Sequence, residues 1–214
     1  MKFENTEVWG FEHAIRGMRN PMNSWDRSDS GYVDKRFNDQ FHIGPHDMEL
    51  MKKLINAGPE HRKFLRQIFI SVDITAPLYW WKEFDTYKVG TVANSCSTMH
   101  KLKDTPITVD CFEMGDFEDC KDDSNVYVSA IWIESITRLE KLRQTYNVTK
   151  DKRYWKELIR LLPESWLQKR TVTMNYENVA NMYSQRMNHK LTEWSKDFIQ
   201  WADNLPYFKE LFTV

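Results

Sequence analysis

A chain of 214 residues with 41% hydrophobic and 29% charged side chains carries enough apolar surface for one sizeable core and is too apolar to remain disordered. Its formal charge of -1 excludes the basic excess of a general nucleic-acid binder. No apolar run reaches the roughly 20 residues that a bilayer-spanning helix needs, so neither nucleic acid nor membrane is an expected partner. The start, Met1 to Glu7, does not show the basic start and apolar centre of a signal peptide, and none is expected. Cys96, Cys111 and Cys120 form no C-x-x-C pair, and a reduced, cytoplasmic setting is expected. Nine Trp and twelve Phe against seven Gly point to a compact, helix-rich protein with aromatic core and pocket walls.

Residues 15–45 are polar and turn-rich, and Gly17, Pro21 and Gly31 argue against continuous regular structure there. Pro45 opens a helix in which Met48, Leu50, Met51, Leu54 and Ile55 recur at helical spacing until Gly58-Pro59. His42, His46 and Asp47 are too loosely spaced for a metal site, and none is expected. From Arg66 to Ile74 apolar and polar residues alternate, predicting a strand around Ile68, Ile70, Val72 and Ile74. Ala76 to Lys88 reads as a helix with Pro77 in its first turn and Trp80-Trp81 as core or subunit interface.

Residues 104–125 read as an acidic, solvated loop or insertion. The spacing of Ile131, Ile133, Ile136, Leu139 and Leu142 predicts a long amphipathic helix from Val126 to Tyr146. A helix from Arg153 to Leu162, a strand from Lys169 to Met174 and a helix from Asn175 to Asn188 follow. A last amphipathic helix runs from Leu191 to Asp203 and stops near Pro206. The expected architecture is a single α+β domain over residues 1–214, helices around a small mixed or antiparallel sheet, with the acidic insertion near 104–125.

Two segments carry more specific information. Ala76 to Leu102 reads A-P-L-Y-W-W-K-E-F-D-T-Y-K-V-G-T-V-A-N-S-C-S-T-M-H-K-L, and Leu162 to Arg186 reads L-P-E-S-W-L-Q-K-R-T-V-T-M-N-Y-E-N-V-A-N-M-Y-S-Q-R. In frame and apolar skeleton both resemble, without gaps, the signature segments of the flavin-dependent thymidylate synthases. The first family segment carries Arg-His-Arg, seven further residues, Ser, and an Arg two residues later; here those positions read Thr86-Tyr87-Lys88, Cys96 and Thr98. Guanidinium forks suit phosphate through paired, charge-assisted hydrogen bonds, and of the triad only the cation at Lys88 is kept. In the second segment Asn175, Asn181 and Arg186 match the family's flavin- and nucleotide-contacting Asn, Asn and Arg, whereas Glu177 stands where the family has a cation near the flavin. Asn175 is placed to cap the helix; positions 175, 178, 179, 182 and 186 share a helical face with 181 at its edge. Upstream, His61 falls in the family's Gly-His-Glu-x-Pro-Phe-Glu-His pattern, whose later carboxylate and second His are replaced by Arg66 and Gln67.

The resemblance implies a homotetramer with active sites between subunits, binding FAD as cofactor and a pyrimidine deoxynucleotide monophosphate as substrate. It implies reductive methylation of dUMP to dTMP, with methylenetetrahydrofolate and NADPH as co-substrates. By the same resemblance His61, Lys88, Thr91, Asn94, Asn175 and Asn181 are the cofactor-binding candidates. Ser95, Cys96, Ser97 and Arg186 are the substrate-binding ones, with Cys96 and Arg186 closest to the chemistry. Arg16 and Arg19, on a stretch that also offers Asn20, Asn23, Ser24 and Trp25, are expected to supply phosphate or base contacts in place of the missing cations. The alternatives are a catalytically altered or inactive homologue that binds a nucleotide, and an enzyme acting on another pyrimidine nucleotide.

Overall fold

The structure is a computed structural model that describes residues 1–32, 41–115 and 121–212. Cys120, residues 116–120 of the acidic segment and residues 33–40 of the turn-rich stretch lie outside the described residues. In chain order the elements begin with strand β1 (Lys2–Trp9), helix α1 (Phe11–Arg19), the short antiparallel pair β2 (Gly31–Tyr32) and β3 (Phe41–His42), and α2 (Pro45–Asn56). Next come β4 (Phe69–Pro77), α3 (Leu78–Phe84), β5 (Val92–Ser95), α4 (Thr98–Lys101) and α5 (Val128–Thr149). The chain closes with α6 (Lys152–Leu161), β6 (Leu167–Asn175), α7 (Tyr176–Arg186), a π-helical turn at Glu193–Phe198, α8 (Ile199–Asp203) and α9 (Phe208–Phe212). One four-stranded sheet has the order β1-β4-β6-β5, so helices and a small sheet make an α+β fold. Among the described residues no helix is long and apolar enough to cross a membrane.

The chain divides into two compact units interleaved in sequence. The first holds residues 1–2, 74–86 and 94–170; the second holds 3–73, 87–93 and 171–214. In the second unit the predicted alternation is realised: Ile68, Ile70 and Val72 are fully buried, the period of a strand with one face on a core. Phe11 and Tyr207 each meet a neighbouring ring edge to face, Phe11 meeting Tyr176 as well, and Tyr176 and Tyr183 both pack on Phe208.

The structure corrects the turn-rich reading of residues 15–45 at its start. Phe11, Ala14, Ile15 and Met18 are buried at helical spacing, so α1 runs through Gly17 to Arg19. The turns that follow are organised by one carboxylate. Asp47 is wholly buried and accepts from Arg19 Nε at 2.6 Å, the Ser28 and Ser30 hydroxyls at 2.6 Å each, and the Asp29 amide at 3.2 Å. A buried carboxylate needs such a full set of donors, and here it takes Asp47 out of any metal reading.

In the first unit Leu102, Ile107, Phe112, Ile136, Leu139, Leu158 and Trp166 form a hydrophobic core, and Trp80, Trp81 and Phe84 are buried together with mutual ring contacts. Ile107 and Phe112 come from the stretch read as a solvated acidic loop, which is therefore packed over 104–112. Its anchor is Glu140 on α5, which accepts from the Ile107 amide at 2.8 Å, from Arg143 at 2.7 and 2.6 Å and from Gln144 at 2.9 Å. The expected apolar stripe of α5 is narrower than its sequence implies. Ile136 and Leu139 are buried, but Ile131 and Ile133 are 50% and 57% exposed.

The Arg143 guanidinium and the other donors hold the Glu140 carboxyl down from 4.5 to about 2. A carboxyl depressed on folding adds stability above its unfolded value and loses it as the pH falls through the folded one. Stability of the wild type is thus expected to drop between pH 4.5 and about 2. Glu140→Gln is expected to be less stable at neutral pH and to show a shallower loss over that window, measured by urea unfolding across the pH series.

Candidate functional site: an amide-capped helix and a thiol-lined cleft

The turn from β6 into α7 is made by two side-chain amides. Asn175 Oδ1 accepts from the Asn178 backbone amide at 3.0 Å, and Asn178 Oδ1 accepts from the Asn175 backbone amide at 3.2 Å. This reciprocal cap satisfies donors that the first helical turn leaves open. The Asn178 side-chain amide also donates to the Val89 carbonyl at 2.7 Å. Gly90, at φ 81°, passes so close that a Cβ there would stand 2.9 Å from Asn178 Oδ1 and 3.1 Å from Asn175 Nδ2. Only glycine fits that approach at that φ. Thr91 closes the same turn through its hydroxyl, which donates to the Tyr87 carbonyl at 2.8 Å.

The clamped turn carries Tyr87, where the resemblance expects a histidine. Its hydroxyl donates to Gln185 Oε1 and accepts from Arg186 Nε, both at 2.9 Å. The Arg186 guanidinium lies 4.9 Å from the Trp194 ring centre and 5.5 Å from that of Tyr87, a stacked setting that suits a delocalised cation. Lys88, next in the turn, is exposed.

In the first turn of α7, Glu177 is buried between two guanidiniums. Arg62 Nε meets Glu177 Oε1 at 3.4 Å, Arg62 Nη2 donates to Asn181 Oδ1 at 3.0 Å, and Arg66 Nε donates to Glu177 Oε2. The amide of Asn181, expected to face a flavin, is thus already tied to Arg62. His61 is exposed one residue earlier. Val179 and Met182, read as sharing the functional face, are instead fully buried in the core.

All of these residues belong to the second unit; the first unit carries a separate set. There Asn94 and Ser95 are exposed at the end of β5, and Cys96, Ser97 and Thr98 line a cleft of about 420 Å³ together with Lys101, Trp166 and Gln168. The loop's backbone is fixed by β6. The Cys96 amide donates to the Lys169 carbonyl at 2.8 Å, and Gln168 Nε2 donates to the Cys96 carbonyl at 3.0 Å and Thr98 Oγ1 at 3.3 Å. Gln168 is oriented in turn by Arg170, whose Nε donates to Gln168 Oε1 at 2.9 Å and whose Nη1 reaches Asp85 at 2.8 Å. Arg170 lies 4.2 Å over the Trp81 ring centre. The exposed Cys96 thiol shares this cleft with Cys111.

Arg16 and Arg19 do not join the α7 set. Arg16 is exposed and rests on His13 at 3.3 Å, and Arg19, 5% exposed, is held by Asp47. They line a hollow of about 210 Å³ with Trp25, Ser28, Ser30 and Phe41. Arg19 is a structural ion pair in this arrangement rather than a donor offered to solvent. Among the described residues no group of three or more metal-ligating side chains occurs. The sequence places Asn178 on the α7 face without giving it a role, and it singles out none of Arg62, Gln168 and Arg170. The Asn175-x-x-Asn178 spacing was a readable cap signal, and Gln168 and Arg170 alternate onto one strand face. Nothing local marks Arg62.

The fold is that of the flavin-dependent thymidylate synthases. The chain is similar over 100% of its length to ThyX of Helicobacter pylori, solved with FAD and dUMP, with 98% of that chain covered, a TM-score of 0.69 and 18% identity. It is likewise similar to the UMP/dUMP methylase PolB of Streptomyces cacaoi bound with 5-Br dUMP, over 99% of this chain and 94% of that one, with a TM-score of 0.59 and 15% identity. No sequence-family profile matches the chain, and no curated protein matches it in sequence.

The clamp makes a direct prediction. Asn178→Ala removes both the reciprocal cap and the grip on Val89, and is expected to lower the unfolding free energy by about 1–2 kcal/mol. Gly90→Ala is expected to cost about as much through its left-handed φ and the close amides. Urea midpoints equal to wild type in both variants would show that the turn is not held in this way.

Proposed function

We propose that this chain is a flavin-dependent methylating enzyme acting on a pyrimidine nucleotide, with dUMP as substrate and dTMP as product. The observation that carries the reading is a fold likeness covering the entire chain combined with Asn175, Asn181 and Arg186 standing in frame at the signature positions on one helix. The residues present fit a phosphate-bearing aromatic cofactor. Amides at Asn175 and Asn181 and guanidiniums at Arg62 and Arg186 are hydrogen-bonding and anion-binding groups in one unit, with the buried Trp194 ring behind Arg186. FAD would be held by these groups with Lys88 and the Thr91 turn, and when bound it supplies the hydride that completes the methyl group. Methylenetetrahydrofolate is the carbon donor in this reading and NADPH the reductant. Ser95, Cys96 and Ser97 would take the nucleotide, their backbone held by Gln168. Arg186, pinned by Tyr87, would be the second unit's charged group closest to the chemistry. A homotetramer and a cytoplasmic setting belong to the same proposal.

A second reading has its own support. Thr86, Tyr87, Thr98 and Glu177 stand where the resembled family has cationic or imidazole groups, and each lost charge-assisted contact costs about 1.5–3 kcal/mol of binding. A homologue that binds a nucleotide without methylating it, or that acts on a different pyrimidine nucleotide, follows if those losses are not made good. Purified protein mixed with FAD and desalted is expected to stay yellow, with retained absorbance in the visible. It is expected to restore growth of a thymidine-requiring strain. A colourless protein would discard the flavin reading, whereas a yellow protein without complementation would favour the changed specificity.

A further inference from the structure

The bracket around Glu177 contains more positive charge than its carboxylate needs. Arg66 alone gives the carboxylate a charged partner, and Glu177, 11% exposed on its side chain, needs at least one. Arg62 is nevertheless brought in as well. Its Nε meets Glu177 and its Nη2 meets Asn181, which leaves Nη1 engaged with none of the described residues. Glu60, which also acts on Arg66, is matched by Lys63 at 3.9 Å, so the two guanidiniums against Glu177 leave a net charge of about one positive, and Arg62 is still 23% exposed. An arginine carries five donors in a planar fork, and one fixed on two acceptors is pre-organised for a third.

The signs at the two ends of the bracket add a second observation. The resembled family has a carboxylate at the position of Arg66 and a cation at that of Glu177. The chain carries the two charges exchanged, and the fold brings exchanged partners into contact. An exchanged pair keeps the brace between this segment and α7, but it removes the cation from α7 itself. Arg62, anchored on Glu177 and Asn181, brings a second cation to the same face of α7.

We propose that Arg62 is a phosphate-binding residue of this chain, its guanidinium aimed by Glu177 and Asn181 at a phosphate of the bound ligand. The proposal rests on the nucleotide-and-flavin reading above. The phosphate belongs either to the dinucleotide part of FAD or to the nucleotide monophosphate, and the test separates the two. Wild type, Arg62→Gln and Arg62→Ala are titrated as full-length protein with FAD and riboflavin by flavin fluorescence, and with dUMP and deoxyuridine by calorimetry. Arg62→Gln keeps a donor for Glu177 and Asn181 while removing the charge, so it stands in where Arg62→Ala unfolds.

Arg62→Gln is expected to weaken the phosphorylated member of one pair by roughly ten- to a hundred-fold. Its unphosphorylated partner is expected to stay within roughly two-fold, and the affected pair names the phosphate. Equal weakening of both members would show that Arg62 only braces α7, and unchanged affinity for FAD and dUMP would show that it touches neither; each result overturns the proposal alone. Wild-type protein that binds none of the four ligands overturns the functional reading along with it.

Discussion

The reciprocal amide pair at Asn175 and Asn178 is the constraint on which the second unit's site depends. A strand that becomes a helix without an intervening loop leaves its first-turn amides short of partners, and burial forbids water from supplying them. Asn175 and Asn178 satisfy one another, and Asn178 then has an amide left over for the Val89 carbonyl. That one surplus donor ties the Tyr87–Thr91 turn to the helix start. Everything further along is placed by the helix: Glu177 in the first turn, Asn181 one turn later, and Arg186 where its guanidinium meets the Tyr87 hydroxyl. The close approach of Gly90 to both amides means that the turn has no room to slide. Residues nearly ninety positions apart thus keep a fixed geometry without any long-range ion pair between turn and helix.

Elements whose period matched their environment were legible from the sequence. The strand through Ile70 and Val72 alternates because one face meets a core, and the helix opening at Pro45 carries both its start and its Gly58-Pro59 stop. Elements whose apolar spacing runs into polar turns, or whose partner is remote in sequence, were not legible. The apolar spacing of α1 starts at Phe11, so a window opened at residue 15 saw mainly Gly17 and the polar turns. Strand β1 went unread because its Lys2–Trp9 sequence is charged and mostly exposed, with little alternation to announce it. The acidic stretch looked solvated because its carboxylates outnumber Ile107 and Phe112, yet those two apolar residues reach the core and decide where the backbone goes.

The same distinction governs the site. Position by position, Thr86, Tyr87, Thr98 and Glu177 read as lost cations. Taken in pairs they read differently. Tyr87 is an uncharged group that fixes the one guanidinium kept in the signature, accepting from Arg186 while it donates to Gln185. Glu177 is matched by Arg62 and Arg66, more than a hundred residues earlier in the chain. Periodicity and capping rules act within a helix turn or a strand pair, and they carry no information on a contact of that span. The charge was legible as a deficit; its compensation became visible only with the fold.

In the first unit the loop at Cys96 shows why such a scaffold can exchange functional side chains without unfolding. Its shape is carried by main-chain atoms: the Cys96 amide and carbonyl are both satisfied from β6, and the Gln168 amide that does half of this is itself held by Arg170, with Trp81 and Asp85 behind it. None of these contacts uses the Cys96 thiol. Thr98 adds its hydroxyl to the same Gln168 amide, so the residue in place of a phosphate-binding arginine still braces the loop. Backbone geometry and side-chain chemistry are therefore separable along this cleft wall. A loop whose course is written into β6 keeps its place while the groups it presents change, at little cost in stability.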